Sequence, residues 1–266
     1  KTEVYGTGAF LAAAAEMYRL VSSPPKVAQP VATPKPAAVE QPVADAGFIP
    51  RPTVTDDATL LLQEDFEAGV YSLKNSGNRP EVVELSDARS GKYALQSQIT
   101  ATTESKYRTE TSMNKKDLIF EVGKEYWLGM SIKLGDDYAE DMGVNDQGML
   151  MQFHYFDWNY PDVPDAQPLL LRYIGDDTIA IDNEVFKVKG TGERHMATVP
   201  ADIGEWVDWV FHYKLDDVDG IIRIWSNGEL VVDFTGDNHQ IEKHDGAYLK
   251  FGLYASQFKN LTTMHD

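Results

Sequence analysis

From residue 60 onward the chain is written in short apolar runs that alternate with polar positions and are broken by Gly, Asp, Asn and Pro. Runs of this length, rich in Val, Ile, Tyr, Phe and Trp, predict strands rather than helices. The predicted strands are Leu60–Phe66, Val82–Leu85, Tyr93–Ile99, Lys106–Ser112, Tyr126–Leu134, Met149–Phe156, Leu169–Ile174, Thr178–Asp182, Trp206–Leu215, Ile221–Trp225, Leu230–Phe234 and Tyr248–Ala255. Asn227-Gly228 between two of these runs is a strong hairpin signal, because both residues tolerate positive φ. With no helix-period segment between the strands, parallel crossovers have no connector. The pattern therefore implies an all-β antiparallel sandwich of the jelly-roll kind.

The first 55 residues read differently. Gly8–Leu20 is Ala-rich with apolar residues at helical spacing and predicts one helix. Residues 22–52 then carry eight of the chain's 13 prolines, as in Ser23-Pro24-Pro25-Lys26 and Thr33-Pro34-Lys35-Pro36. Such a stretch cannot build a core and reads as a semi-rigid extended linker. The expected organisation is a helical piece over residues 1–21, a linker over 22–55 and one sandwich domain over 56–266, within a larger parent chain.

Charge narrows the partners. The net charge of −18, from 24 basic and 42 acidic residues, lies wholly beyond residue 55. A surface of that sign argues against nucleic acid or an anionic membrane as partner, so an anionic ligand needs a locally basic site. The chain has no cysteine, which removes disulfides, thiolate metal sites and a cysteine nucleophile. The apolar stretch at residues 9–15 is too short to span a bilayer and has no signal-peptide flanks.

Candidate chemistry comes from the strand faces. Side chains at i and i+2 share a face. In Tyr107-Arg108-Thr109-Glu110 this sets Arg108 beside Glu110. In Met151–Tyr155 it puts Gln152 and His154 opposite Met151, Phe153 and Tyr155. In Tyr248–Tyr254 it puts Tyr248, Lys250 and Tyr254 opposite Leu249, Phe251 and Leu253, with Gly252 leaving room between them. Each pair alone has a plain alternative: a surface ion pair, an exposed histidine, a strand aromatic. Their repetition on three strands is what a polar groove on one sheet face requires.

Arg-Thr-Glu at 108–110, Gln-Phe-His at 152–154 and Tyr-Leu-Lys-Phe-Gly-Leu-Tyr at 248–254 resemble the three signatures of β-jelly-roll polysaccharide lyases: the family 7 alginate lyases and the related glucuronan, heparin-lyase-I-like and ulvan lyases. The likeness spans most of residues 60–258. Gly204-Glu205-Trp206-Val207-Asp208-Trp209 and Trp225-Ser226-Asn227-Gly228 resemble the heparin-lyase-like group as well. Family 7 usually has a second arginine two residues after the glutamate, where this chain has Ser112. Lys1–Leu11 resembles the C-terminal end of unsaturated glucuronyl and rhamnogalacturonyl hydrolases, which implies an upstream hydrolase domain in the parent chain.

The resemblance implies a concanavalin A-like jelly roll and an endo-acting lyase that cleaves a uronic-acid polysaccharide by β-elimination, with ulvan or glucuronan favoured over alginate. That chemistry needs a group to neutralise the uronate carboxylate, a base for the C5 proton and an acid for the leaving oxygen. By resemblance, Arg108 and Gln152 hold the carboxylate, His154 is base or carboxylate partner, and Tyr254 is the acid, or both acid and base. Lys250, Glu110, Tyr248 and Arg172 complete the substrate site, Lys250 placing charge beside Tyr254 and Glu110 orienting Arg108. No cofactor is required for the chemistry. A structural calcium is expected at Glu64 and Glu67, on oxygen ligands that suit a hard cation, although its usual partner on a final strand is expected to be missing. The resemblance also implies a secreted or periplasmic enzyme, and the acidity suits a salt-rich, marine habitat, where screening shortens repulsion from a polyanion.

Two other functions fit a jelly roll. A hydrolase needs paired carboxylates across the scissile bond; Glu-x-Asp-x-Glu strings are absent, and Asp182 with Glu184 is the nearest approximation. A noncatalytic carbohydrate-binding module could stack sugars on Trp127, Trp158, Trp206, Trp209 or Trp225.

Overall fold

The computed structural model describes residues 2–5, 59–100, 107–113, 120–138, 148–155, 167–187, 190–239, 246–255 and 260–266. The helix expected at Gly8–Leu20, the linker and Trp158 lie outside these residues. Two sheets face each other. Across the first run β15 (Glu229–Gly236), β14 (Gly220–Ser226), β13 (Trp206–Lys214), β8 (Glu125–Leu134), β17 (Leu261–His265), β5 (Tyr93–Ile99) and β4 (Glu81–Glu84). Across the second run β12 (Gly190–Pro200), β11 (Thr178–Lys187), β10 (Leu169–Tyr173), β9 (Gly148–Tyr155), β16 (Gly246–Ala255), β6 (Arg108–Ser112) and β3 (Lys74–Gly77), with β7 (Phe120–Glu121) pairing with the start of β16.

All of these ladders are antiparallel, and the described strands form the sandwich that the alternating pattern implies. The parallel exception is β1 (Thr2–Tyr5), which runs beside β8 and beside β2 (Thr59–Leu62). The four residues assigned by sequence to an upstream helical piece thus form an extended strand of the first sheet. A second departure is β17. Residues 261–265, not assigned to a strand by the sequence pattern, lie between β5 and β8, in register from Leu261 opposite Ile99 to His265 opposite Leu95 and Ile132.

The core is the layer between the sheets. From the first sheet it takes Leu128, Ile132, Trp209 and Phe211, and from the second Met151, Phe153, Leu171, Leu249 and Leu253, all at the inward parity of their strands. Phe153 stacks on Phe120 at 4.4 Å between ring centres and meets Tyr213 edge-on at 4.6 Å. Each such side chain contributes about 1.5–3 kcal/mol by burial. This apolar floor fixes the parity of β9 and β16, so that the alternate residues must face outward.

The second sheet does not run in perfect register. Its ladders slip beside the row Phe251–Met151–Leu171–Ile181–Ala197: between Phe251 and Tyr254 on β16, between Leu171 and Arg172 on β10, and between Ile181 and Asp182 on β11. An unequal residue count across a pair bends and twists the strand that carries the extra residue. Three slips at nearly one level, on neighbouring ladders, bend the sheet along a single line. At the first of them Gly252 has φ +131°, and a Cβ there would lie 2.5 Å from the Thr109 carbonyl oxygen and 2.7 Å from Glu110 Cα. Only glycine lets β16 pass this close to β6.

His265 is enclosed between the sheets, 5.2 Å from the Phe251 ring, and burial holds its imidazole down to about 4. The folded chain keeps this ring neutral while the unfolded chain protonates it near the ordinary 6.5. Stability is therefore complete above about pH 6.5 and falls as the pH drops towards 4, by up to about 3 kcal/mol from this group. Burial lowers His212 as well and adds in the same sense. Asp266, whose carboxyl is pushed up chiefly by burial, acts in the opposite sense. Urea unfolding at pH 7.5 and pH 5 should show the loss in the wild type and a much smaller one in His265→Leu; equal losses in both would remove His265 as the cause.

Candidate active site

The outward face of the second sheet carries a cluster centred on Glu110. Its side chain is 2% exposed, and Oε2 lies 3.1 Å from Arg108 Nε and 3.3 Å from Lys250 Nζ. Oε1 accepts a hydrogen bond from Gln152 Nε2 at 2.6 Å. Three strands meet here because Lys250 stands opposite Gln152 on one side and opposite Ser112 on the other, while Gly252 stands opposite Glu110. A Cβ at Gly252 would run into the Thr109 carbonyl oxygen and Glu110 Cα, so this glycine lets β16 and β6 close up beside the cluster. The Lys250 side chain is only 6% exposed, so the nearby carboxylate offsets part of the cost of burying its charge.

The Arg108 guanidinium, anchored through Nε, lies 4.0 Å from the centre of the Tyr254 ring. Sequence reasoning set Lys250 beside Tyr254; Arg108 is the cation that stacks on the ring, and Lys250 ion-pairs with Glu110. A cation over an aromatic face is stabilising by about 0.5–2 kcal/mol and fixes both side chains. His154 stands opposite Tyr248, their ring centres 5.3 Å apart. Its Nδ1 is 3.0 Å from the Tyr155 carbonyl oxygen, so this nitrogen donates and the basic lone pair is on Nε2. Arg108, Glu110, Gln152, His154, Tyr248, Lys250 and Tyr254 are thus on one face of three adjoining strands. With one carboxylate against two cations, the centre of the cluster has a formal charge of +1 in a protein of −18.

A second cluster on the same face joins Arg172 and Asp182, which the sequence offered separately, to His195, which it did not. Asp182, 1% exposed, accepts from Arg172 Nε at 2.7 Å through Oδ2 and from His195 Nδ1 at 2.9 Å through Oδ1. Thr198 Oγ1 lies 2.8 Å from His195 Nε2. The carboxylate considered for hydrolysis is therefore occupied by two basic groups. Glu184 takes the backbone N–H of Gln167 at 2.8 Å. No i, i+2 signal could have revealed this cluster, since its members come from three strands with a register slip between two of them.

Glu64 and Glu67 lie elsewhere. Glu64 accepts from the Ser72 hydroxyl and N–H, and Glu67 Oε1 accepts from the N–H groups of Lys92 and Tyr93 at 2.8 and 2.9 Å. Those two hydrogen bonds hold the Glu67 carboxyl below its ordinary range. Asp266, just after β17, accepts from Ser90 N at 2.7 Å. Among the described residues no three acidic or histidine side chains converge as a metal cage; these hydrogen bonds tie Glu64, Glu67 and Asp266 to neighbouring loops. The four described tryptophans all belong to β8, β13 and β14 of the first sheet, away from the polar face.

A jelly-roll sandwich with Arg, Gln, His, Lys and Tyr gathered on one sheet face has the make-up of an enzyme that handles an acidic sugar. Residues 64–266, well over half of the chain, match the family described as polysaccharide lyase, and the protein belongs to that family. It is a polysaccharide lyase. No curated protein matches it in sequence. Among solved structures, an endo-β-1,4-glucuronan lyase from the fungus Trichoderma reesei is similar over 75% of this chain and 89% of its own, with a TM-score of 0.55 and 18% identity. An alginate lyase of polysaccharide lyase family 7 is similar over 69% of this chain and 78% of its own, with a TM-score of 0.48 and 14% identity. At these identities the likeness is one of fold.

Glu110→Gln should take a close counter-charge from buried Lys250 and the carboxylate anchor from Arg108. The expected loss is about 3 kcal/mol of stability, read as a lower urea midpoint, together with a drop in initial rate that exceeds the loss of folded protein.

Proposed function

We propose that the protein is an endo-acting lyase that cleaves a uronate-containing polysaccharide by β-elimination, using the outward face of the second sheet as its groove. The observation that carries this reading is the convergence of Arg108, Gln152 and Lys250 on buried Glu110, with Tyr254 stacked on Arg108 and His154 on the same face. A fixed cation and a fixed amide are what a uronate carboxylate needs while negative charge develops at C5.

In this reading the substrate carboxylate meets the outer edge of the Arg108 guanidinium and the second amide hydrogen of Gln152, the first being held by Glu110. A base takes the proton from C5, the C4–O bond breaks, a double bond forms between C4 and C5, and the leaving oxygen takes a proton. Tyr254 supplies that proton. When the C5 hydrogen and the leaving oxygen lie on one side of the ring, Tyr254 serves both transfers; when they lie on opposite sides, His154 Nε2 takes the C5 proton. Water attack is not needed, which suits a face on which the described carboxylates Glu110 and Asp182 are both occupied by basic groups.

The favoured substrates are glucuronic- or iduronic-acid polymers, ulvan and glucuronan before alginate. Ser112 supports this choice: it occupies the place of a second arginine and stands opposite Lys250, so among the described residues the cations on Glu110 are Arg108 and Lys250. Secretion or periplasmic location follows from a polymeric substrate. The binding-module alternative draws no support from the four described tryptophans, which belong to the other sheet.

Incubation with ulvan, glucuronan, alginate, heparin and pectin, followed by ultraviolet absorbance of the new double bond, tests the reaction. Binding with no absorbance change on any polymer would make the protein a binding module. A clear preference for polymannuronate over ulvan and glucuronan would overturn the choice of substrate.

Tyr254→Phe keeps the ring under Arg108 and removes only the hydroxyl. Turnover should fall by at least about a hundredfold with an unchanged unfolding midpoint. Near-normal activity would take Tyr254 out of the mechanism.

A further inference from the structure

Strand β3 forms the rim of the second sheet beside the Glu110 cluster. Thr109 turns its hydroxyl inward, to the Gln98 carbonyl of the other sheet, so Arg108, Glu110 and Ser112 face outward on β6. Residues directly opposite each other in an antiparallel ladder share a face. Ser76 stands opposite Glu110 and Lys74 opposite Ser112, which puts both on the groove face. Two contacts agree with that parity: Leu73, one residue before the strand, is buried in the core, and Arg108 Nη1 lies 3.5 Å from Ser76 Oγ.

Ser112 thus stands between two lysines in one transverse row, Lys250 on one side and Lys74 on the other. Their states differ. Lys250 is buried and close to Glu110, whereas Lys74 is exposed and, among the described residues, belongs to no ion pair. Its backbone is about 8 Å from that of Glu110, one strand spacing across and two residues along, so its ammonium is within reach of a ligand that extends beyond the cluster. A lysine on an edge strand has a plain use as well, since its charge discourages another chain from pairing with the bare edge. That use is served by a charge anywhere along the edge and does not call for one in the row of the cluster. An exposed ammonium is mobile and screened, so it attracts an anion without orienting it. Orientation is the task of the groups on Glu110; attraction of further acidic groups along a polymer is what an uncommitted cation beside them can add.

We propose that Lys74 is a substrate-binding residue at the β3 rim of the groove, which takes an acidic group on a sugar beyond the one held by Arg108 and Gln152. This rests on the reading that the groove binds a uronate polymer. The ligand is a carboxylate or a sulfate ester, since a point charge accepts either. The polymer then extends from Tyr254 past Glu110 towards β3, and a chain without an acidic group at that place is bound less tightly.

The test compares the wild type with Lys74→Gln, Lys74→Arg and Lys74→Glu, and with Lys92→Gln, which removes an exposed lysine between β4 and β5 of the other sheet. The substrates are glucuronan, alginate, ulvan and desulfated ulvan as long polymers. Lys74→Gln should raise KM roughly fivefold, the effect of one exposed charge pair, with kcat unchanged. Lys74→Arg should keep KM within roughly twofold of the wild type, Lys74→Glu should raise it further than Lys74→Gln, and Lys92→Gln should leave it unchanged. The difference between wild type and Lys74→Gln should vanish in about 1 M salt, where charges act over only about 3 Å; a difference that persists there would overturn a charge contact. An effect on glucuronan, alginate or desulfated ulvan assigns a carboxylate, and an effect confined to sulfated ulvan assigns a sulfate ester; both support the proposal. Unchanged KM in Lys74→Gln, an equal rise in Lys92→Gln, a loss carried wholly in kcat, or no rescue by Lys74→Arg would overturn it, and unchanged KM with self-association of Lys74→Gln would make the lysine a guard of the sheet edge instead. If the wild type cleaves none of the polymers, the lyase reading fails separately. Affinity electrophoresis in gels containing the same polymers then decides the role of Lys74: weaker retardation of Lys74→Gln than of wild type and Lys92→Gln supports it, and equal retardation, or none for any of the proteins, overturns it.

Discussion

A carboxylate shut away from water is tolerable only when cations and hydrogen-bond donors take the place of its hydration. Glu110 imposes that condition on the groove. Its oxygens must be matched, and the matching groups are Arg108, Lys250 and Gln152, each from a different strand of the second sheet. Satisfying one buried charge therefore draws three strands' functional groups into one place with little freedom left in their side chains. The cations gain position from Glu110 and still leave a net positive centre, which an acidic molecule needs if it is to hold an acidic ligand. Exposed lysines on the same surface would be screened and mobile.

The curvature of the sheet serves the same end. A flat sheet would spread outward residues evenly, whereas register slips beside the row from Phe251 to Ala197 bend the second sheet along a line that runs between the functional groups. Gln152, Lys250, Asp182 and His195 flank it on one side, and Arg108, Tyr254 and Arg172 on the other. Core packing holds the bend from below, since Phe153, Leu249 and Leu253 cannot leave the interior without exposing large apolar surfaces.

Much of this was legible in the sequence because period-2 alternation reports directly on which face is buried. Arg108 with Glu110, and Gln152 with His154, needed nothing beyond that parity. Tyr93–Ile99 sets Leu95 and Ile99 on one face against Gln96 and Gln98 on the other, and its strand has those same bounds. The strands that escaped have a physical reason for doing so. β3, Lys-Asn-Ser-Gly, lies at a sheet edge and has no apolar residue, and β7 has only two residues. β12 is another edge strand, with a register slip that interrupts its alternation, so neither His195 nor its approach to Asp182 could be read from spacing. β17 hides its inward residues among Thr and His, and His265 looks polar in sequence while standing in the core.

The position of β17 bears on how the molecule is made. Leu261–His265 fits between β5 and β8, strands laid down more than a hundred residues earlier, and completes the middle of the first sheet rather than its rim. During synthesis β5 and β8 can each recruit their other neighbours, but the two halves of that sheet have no ladder between them until Leu261–His265 has been made. Until then each half presents a raw strand edge, the kind of surface on which nascent chains join the wrong partner. Closure of the sandwich is thus a late event tied to a five-residue segment, and the long loops it must close favour slow folding. Such a protein has reason to keep its surface strongly acidic: chains that repel one another have time to finish.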